Sequence, residues 1–231
     1  MTGWLTPQEA EAVALSLRVA GVAIALSLPF GILTAYFLAR SHSLLRHIVG
    51  ALVLLPLILP PVVTGYLLLL TFGTKGWLGS HLADMGIVFA FRWTGAALAA
   101  AIMAFPLMVR AILLSLEAVD PKLEAAAGTL GASRWRVFFT ITLPLTLPGI
   151  IAGAVLGFAK AMGEFGATIT FVANIPGETQ TLPTAIYTFL QVPGGDAAAF
   201  RLVWISIGIA LAALVASEVL GRFLARRIGA S

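Results

Sequence analysis

Five long, almost uncharged segments dominate this sequence and restrict what it can fold into. At about 1.5 Å per residue, a helix over any of them is long enough to cross a hydrocarbon core of about 30 Å. Only 10% of the residues are charged, against roughly 25% in soluble domains, so the chain has too few charges to cover a water-exposed surface. The sequence therefore predicts an all-α membrane protein, a single domain over residues 1–231 with about five transmembrane helices. The predicted spans are Ala12–Ala39, Leu44–Phe72, Trp93–Leu116, a fourth that continues past Pro144 and Pro148 to about Ile169, and Leu202–Leu220.

Two of the apolar segments depart from a simple span. The second contains L-P-L-I-L-P-P-V-V-T-G-Y, whose three prolines remove backbone donors and force a break that a bilayer tolerates only beside protein or a wet cavity. A weakly hydrophobic piece at Leu182–Val192 is too short to cross the bilayer unaided. Counting that piece as a sixth span is the alternative topology, and it would place the arginine-rich C-terminus outside.

The positions of the basic residues predict the orientation of the chain. Lysine and arginine are enriched in short cytoplasmic loops. Basic residues flank the loops after spans one and three and the C-terminus, whereas the N-terminus and the loop after span four are acidic or neutral. The N-terminus is therefore predicted outside and the C-terminus inside, and the net charge of +4 is an orientation signal rather than a sign of nucleic-acid binding. The C-terminal basic residues are Arg222, Arg226 and Arg227.

The stretch Asp120–Pro148 is neither a uniform hydrophobic span nor a simple loop. Asp120 is suited to cap a helix, and Pro121 suits the first helical position. Gly131 is well placed to end that helix in a left-handed conformation. The sequence thus predicts a short helix over Pro121–Leu130, with one apolar face formed by Leu123, Ala126, Ala127 and Leu130.

This stretch resembles the coupling segment of permeases of ATP-binding-cassette (ABC) importers, whose pattern is E-A-A, then a glycine, then I-x-L-P. Gly131, Ile141 and the Leu-Pro pair at 143–144 match in spacing. Aligning on Gly131 places Ala125 where the family usually has glutamate, with Glu124 one position earlier. One position turns a side chain by about 100° around a helix, so Glu124 is not expected to make the direct salt bridge of the family glutamate.

Further blocks extend the resemblance to the molybdate permeases, a branch close to the sulfate permeases. These are L-P-L-I-L-P-P-V-V-T-G-Y-L-L-L, W-R-V-F-F-T-I-T-L-P-L-T-L-P-G-I and G-E-F-G-A-T-I-T-F. The resemblance implies a molybdate importer subunit of the bacterial inner membrane, with tungstate or sulfate and thiosulfate as the nearest alternatives. It also implies a homodimer, two cytoplasmic ATPase subunits and an external oxyanion-binding protein. The chain has no G-x-x-x-x-G-K-[ST] loop, so ATP and Mg²⁺ are expected on the partner ATPase.

The resemblance implies a coupling segment over residues 120–144 that contacts the ATPase subunits. The coupling residues expected there are Leu123, Glu124, Ala125, Ala126, Ala127, Leu130 and Gly131.

Lys160 and Glu164 lie four residues apart in the fourth span, and an ionisable pair inside a span is a functional candidate. One interpretation is a gate or pathway element, with Phe165 as a plug and Gly166 allowing movement. The other is an ion pair that neutralises itself near the outer interface. The pathway candidates are Lys160, Glu164, Phe165, Gly166, Thr168, Pro60 and Pro61.

An intramembrane enzyme that uses Lys160 and Glu164 as acid and base is a remote alternative. The sequence shows no second cluster of polar catalytic groups at matching depth. It contains no cysteine, and its three histidines lack metal-ligand spacing, so no metal site is predicted. Arg18, seven residues into span one, is expected to extend towards the outer surface rather than to contact an anion.

Overall fold

Helices form every regular element in the part of the chain that the computed structural model describes. That part comprises residues 4–228, with side chains described as far as residue 221. The helices are α1 (Pro7–Arg40), α2 (Leu44–Ile58), α3 (Pro61–Phe72), α4 (Gly79–Asp84), α5 (Trp93–Glu117), α6 (Pro121–Thr129), α7 (Arg134–Val137), α8 (Leu143–Met162), α9 (Gly166–Val172), α10 (Leu182–Leu190) and α11 (Asp196–Ile228), with a π-helical turn at Phe138–Thr142.

Four stretches are long and apolar enough to cross a membrane: α1, α5, the continuous run from α7 through α8, and α11. Helices α2 and α3 form a fifth candidate span that bends by 112° at the break between them. At about 1.5 Å per residue, the nine residues of α10 are too short to cross. The all-α membrane fold with about five spans is thus confirmed. The orientation stays a prediction, and the side chains of Arg222, Arg226 and Arg227, on which it partly rests, lie outside the described residues.

Helix α5 lies at the centre of the bundle and packs mainly between α1 and α8. Its alanines carry no atom beyond Cβ, so neighbouring backbones approach closely. The close packing of α5 with its neighbours follows from these small side chains. The alanines of α5 that are at most 1% exposed are Ala96, Ala99, Ala100 and Ala104.

A stripe of glycines on α8 forms the other half of this close contact. A Cβ built at Gly149 would collide with Ser115 of α5. One built at Gly153 would lie 3.0 Å from Ile112 Cγ1, and one at Gly157 would lie 2.9 Å from Ile24 Cδ1 of α1. The four-residue spacing of these glycines gives α8 a small-residue face, against which two neighbouring helices pack.

The fourth span is broken, which corrects the prediction that it continues to Ile169. Helix α8 ends at Met162, and a new helix, α9, begins at Gly166. The carboxylate of Glu164 accepts a hydrogen bond from the Ala167 backbone N–H at 3.0 Å, so this side chain satisfies a donor in the first turn of α9. An apolar periodicity that continues through the break hides it from sequence reasoning.

The break in the second span packs against the break in the fourth span. A Cβ at Gly166 would lie 2.8 Å from Pro61 Cβ, and one at Gly65 would lie 2.9 Å from Ala167 Cα. Helices α3 and α9 therefore touch backbone to backbone near their N-terminal ends. The predicted break at the prolines is confirmed, and its partner is the break in the fourth span.

Candidate functional site

The predicted short helix after α5 is present and begins at the predicted residue. The Asp120 side chain accepts a hydrogen bond from the Lys122 N–H at 2.9 Å, and Pro121 occupies the first turn. The helix ends at Thr129, one residue before the predicted end, and Gly131 adopts φ +83°. The Ala132 N–H then bonds the Ala127 carbonyl at 3.1 Å, which satisfies one of the last helical acceptors.

The apolar side chains of α6 are uncovered. Leu130 is 89% exposed and Leu123 is 48% exposed, and no residue of α6 is buried. Ala125 and Ala126 are also exposed, whereas Glu124 and Ala127 are half-buried against the rest of the chain. The helix therefore has one face turned to its own protein and one apolar face available to another molecule.

Glu124 attaches the inner face of α6 to two other elements. Its Oε1 atom lies 2.7 Å from Nη2 of Arg40, in the last turn of α1, and accepts a hydrogen bond from Thr142 Oγ1 at 2.7 Å. Both charged side chains are less than one quarter exposed, at 24% for Arg40 and 20% for Glu124. Sequence reasoning did not foresee this salt bridge within the chain. The expectation that Glu124 does not make the salt bridge of the family glutamate stays a prediction.

The π-helical turn brings Thr142 into this cluster. A π turn inserts one extra residue and rotates the side chains that follow relative to those before it. It lies just before Pro144, whose ring would clash in a regular α-helix with the carbonyl of Thr140, four residues earlier. Thr142 is 1% exposed, so its hydroxyl is committed to this contact. Sequence reasoning missed both partners of Glu124, since Arg40 looks like any basic residue at the inner end of a span.

Lys160 and Glu164 form the predicted ion pair, with Nζ and Oε2 2.8 Å apart. The Glu164 side chain is 2% exposed and the Lys160 side chain 31% exposed. Glu164 also caps α9 through its second oxygen, as described above. The pair therefore joins the end of α8 to the start of α9 across the break, and the carboxylate carries no uncompensated charge.

The other pathway candidates surround the two breaks. Phe165 packs its ring 5.2 Å from that of Tyr187 in α10. Thr168 is 1% exposed within α9. The Pro60 carbonyl accepts from the Thr64 N–H at 3.2 Å, while the buried Thr64 hydroxyl has no hydrogen-bond partner among the described residues. Pro60, Pro61, Gly166 and Thr168 thus lie on the two half-helices that pack together.

Three further charged residues, Glu9, Arg18 and Arg201, lie towards the end of the bundle opposite to Arg40 and Glu124. Glu9, fully buried in the first turn of α1, pairs with Arg201 of α11 at 2.6 Å. Sequence reasoning did not identify this pair, whose members are 192 positions apart. The guanidinium carbon of Arg18 lies 3.7 Å from the centroid of the Trp93 ring, so this arginine stacks on an aromatic side chain at the start of α5. Within the described residues, no group of three or more histidine, aspartate and glutamate side chains is placed to hold a metal ion.

A comparison with protein-family models matches residues 27–229 to the family described as binding-protein-dependent transport system inner membrane component. The chain belongs to this family. It is a multi-pass inner-membrane transport component, an ABC-importer permease subunit, and the intramembrane-enzyme alternative is set aside. The match covers both of the breaks and the whole of the α6 segment.

Relatives of this permease carry molybdenum-transport names. It is 59% identical over 226 residues to the molybdenum transport system permease protein ModB of Escherichia coli (strain K12), which covers 97% of this chain and 99% of that protein. It is 53% identical to the ModB protein of Haemophilus influenzae, over 96% of this chain and 97% of that one. The sulfate transport system permease protein CysW of Synechococcus elongatus is 36% identical over 75% of this chain and 60% of its own.

Solved ABC transporters share the fold of this permease. A bacterial alginate ABC transporter in complex with a periplasmic protein bound to alginate pentasaccharide matches with a TM-score of 0.72 at 22% identity, over 96% of this chain and 80% of that chain. An inward-facing structure of the MetNI methionine ABC transporter matches with a TM-score of 0.66 at 14% identity, over 94% of each chain. At these identities the likeness concerns the fold alone.

Proposed function

We propose that this permease moves molybdate into the cytoplasm by ATP-driven alternating access. The observation that carries the proposal is the 59% identity to a molybdenum transport permease along almost the full length of both chains. Tungstate, a tetrahedral dianion like molybdate, is expected to follow the same route. Sulfate is the second candidate, since a sulfate permease is related over three quarters of this chain at lower identity.

The coupling residues act through α6. In the proposal, its exposed apolar face, with Leu123, Ala126 and Leu130, docks on a cytoplasmic ATPase subunit, and two such subunits hold ATP and Mg²⁺. Burying exposed apolar side chains stabilises such an interface at roughly 25 cal/mol per Å². The Glu124 contacts to Arg40 and Thr142 give the docked helix rigid connections to α1 and to the span that contains α8.

Those two connections supply a means of transmission. When nucleotide draws the ATPase subunits together, a displacement of α6 is carried into two spans at once rather than through its flanking loops alone. Coupling requires contacts that differ in free energy between the two states of the transporter. If the Arg40–Glu124 salt bridge persists in both states, α1 and α6 move as one body. If it breaks in one state, its loss contributes directly to the free-energy difference between the states.

The oxyanion pathway follows the two broken helices. We place it beside Pro60 and Pro61 of the second span and the segment Glu164–Thr168, where backbone groups are freed from regular helix. A dianion would be repelled by a bare Glu164 carboxylate, and the Lys160 partner at 2.8 Å removes that repulsion. A second copy of the chain completes the pathway, and an external binding protein delivers the oxyanion.

Reconstituted uptake tests the proposal. The permease, its ATPase and its oxyanion-binding protein are placed in vesicles, and uptake of labelled molybdate is measured with ATP enclosed. We expect ATP-dependent molybdate uptake that excess tungstate suppresses and excess sulfate does not. Uptake of sulfate in preference to molybdate would favour the second candidate, and molybdate uptake that persists without the ATPase would contradict the mechanism.

A further inference from the structure

A groove between α2 and α5 is lined by both charged and apolar side chains. It encloses about 380 Å³ and lies at the end of the molecule that carries the Arg40–Glu124 pair. The α2 residues that line it recur at helical spacing, and the first two of them are basic. The residues that line it are Leu38, Arg46, His47, Gly50, Val53, Leu54, Val109, Arg110 and Leu113.

The lining of the groove carries an excess of positive charge. Arg110 is exposed, and its guanidinium makes no ion pair with any described residue. Arg46 has one carboxylate neighbour, Glu117, at 3.6 Å, longer than a charge-assisted hydrogen bond. Two guanidinium groups therefore line the groove together with His47, and the one neighbouring carboxylate, that of Glu117, faces only Arg46, which leaves a net positive charge. An anion is the ligand that such a site selects.

The apolar part of the groove is suited to a hydrocarbon chain. From Arg46 to Leu54 the α2 wall extends about 12 Å, at about 1.5 Å per residue, and beyond His47 its side chains are apolar. No residue of α2 is buried, so this helix leaves room along its side. A Cβ at Gly50 would meet nothing closer than Leu38 Cδ2 at 3.8 Å, which leaves the floor of the groove open.

We propose that this groove binds an anionic phospholipid such as phosphatidylglycerol, with the phosphate between Arg46 and Arg110 and one acyl chain along Gly50 and Leu54. A free oxyanion shares the chemistry of the phosphate but would leave the apolar walls uncovered. The predicted orientation places this groove on the cytoplasmic side, where basic pockets between transmembrane helices favour anionic lipid headgroups. Because the lipid would contact α2 and α5 together, it would hold the poorly packed α2 against the centre of the bundle. The proposal does not depend on which oxyanion is transported.

Native mass spectrometry of the full-length permease in neutral detergent provides the test, with short-chain phosphatidylglycerol, phosphatidylcholine of the same chains and inorganic phosphate as probes. We expect phosphatidylglycerol to bind about tenfold more tightly than phosphatidylcholine, since both carry the phosphate but the trimethylammonium group of choline is repelled by the guanidinium groups. Arg110→Gln removes this preference, and Arg110→Lys retains most of it. Gly50→Leu fills the floor and weakens both lipids.

Arg92→Gln is the matched control, because it removes an arginine at the opposite end of the same helix. It is expected to leave phosphatidylglycerol binding unchanged. Equal binding by the Arg110→Gln and Arg92→Gln proteins would overturn the proposal. Displacement of the lipid by inorganic phosphate with no effect of Gly50→Leu would assign the site to a free oxyanion instead. A change in the number of chains per particle in both groove variants would assign it to contact with a second copy.

Discussion

Arg40, in the last turn of α1, lies 2.7 Å from Glu124 of α6, a residue 84 positions later in the sequence. The contact joins the longest described helix to the short exposed helix that the family resemblance associates with ATPase coupling. Because Glu124 also accepts from Thr142, one carboxylate holds three separate elements together. This cluster gives α6 a defined position before any partner binds.

Breaking this contact is predicted to loosen coupling more than folding. Arg40→Gln and Glu124→Gln each remove one charge of a pair that is about three quarters buried, which is expected to cost about 1–2 kcal/mol. We expect fewer molybdate ions taken up per ATP hydrolysed, measured in reconstituted vesicles.

The double variant Arg40→Gln/Glu124→Gln is the control for this pair. A double-mutant cycle over the unmodified protein, the two single variants and the double variant isolates the interaction energy between Arg40 and Glu124, which we expect to be about 1 kcal/mol. Uptake per ATP that equals that of the unmodified protein in both single variants would show that the pair has no role in coupling.

The backbone conformation of Gly131 is predicted to be required for coupling. Gly131→Ala forces φ +83° on a residue with a Cβ, at a cost of about 1 kcal/mol, although no atom lies within 4 Å of that Cβ. Gly128→Ala is the matched control, since it is equally open but lies inside α6, where alanine favours the helix by about 1 kcal/mol. We expect lower uptake per ATP only in the Gly131 variant. The same loss in both would attribute the effect to the exposed surface rather than to the turn.

The Lys160–Glu164 pair is predicted to show whether its role is structural or in the pathway. Lys160→Met leaves a nearly fully buried carboxylate without its cation, which we expect to lower stability by about 2 kcal/mol. Glu164→Gln retains an acceptor for the Ala167 N–H. If the pair only joins the two helices, the double variant Lys160→Met/Glu164→Gln should have a Tm closer to that of the unmodified protein than the Tm of Lys160→Met. Equal loss of uptake in all three variants, with normal melting, would instead indicate contact with the oxyanion.

The α8 glycine stripe is predicted to be intolerant of larger side chains. Gly153→Leu places its side chain against Ile112 and the Met108 carbonyl, both 3.0 Å from the Cβ position, and overpacking of this kind costs about 1–3 kcal/mol. Gly208→Leu on α11 meets nothing within 4 Å and serves as the control. Thermal unfolding in detergent should show a lower Tm for the Gly153 variant alone. Equal Tm values would mean that α8 and α5 separate without cost.

The coupling segment shows how far sequence reasoning reaches. Asp120, Pro121 and Gly131 act on their own backbone, and their roles follow from residue type and position. The partners of Glu124 could not be predicted in this way, because the family pattern concerns the coupling segment alone and Arg40 belongs to α1. The π-helical turn was also missed, since Pro144 allows either a kink or a wider turn.

The sequence by itself determined the membrane class, the approximate spans, the short helix with the residues that cap it, and the Lys160–Glu164 pair. These are consequences of local hydrophobicity, of helix periodicity and of capping chemistry within a few residues. Only the tertiary structure decided where the fourth span breaks, that the two breaks pack together through Gly65 and Gly166, and that Arg40 meets Glu124. The physical reason is distance along the chain: a contact between residues 84 positions apart depends on how whole helices pack, and no local pattern contains that information.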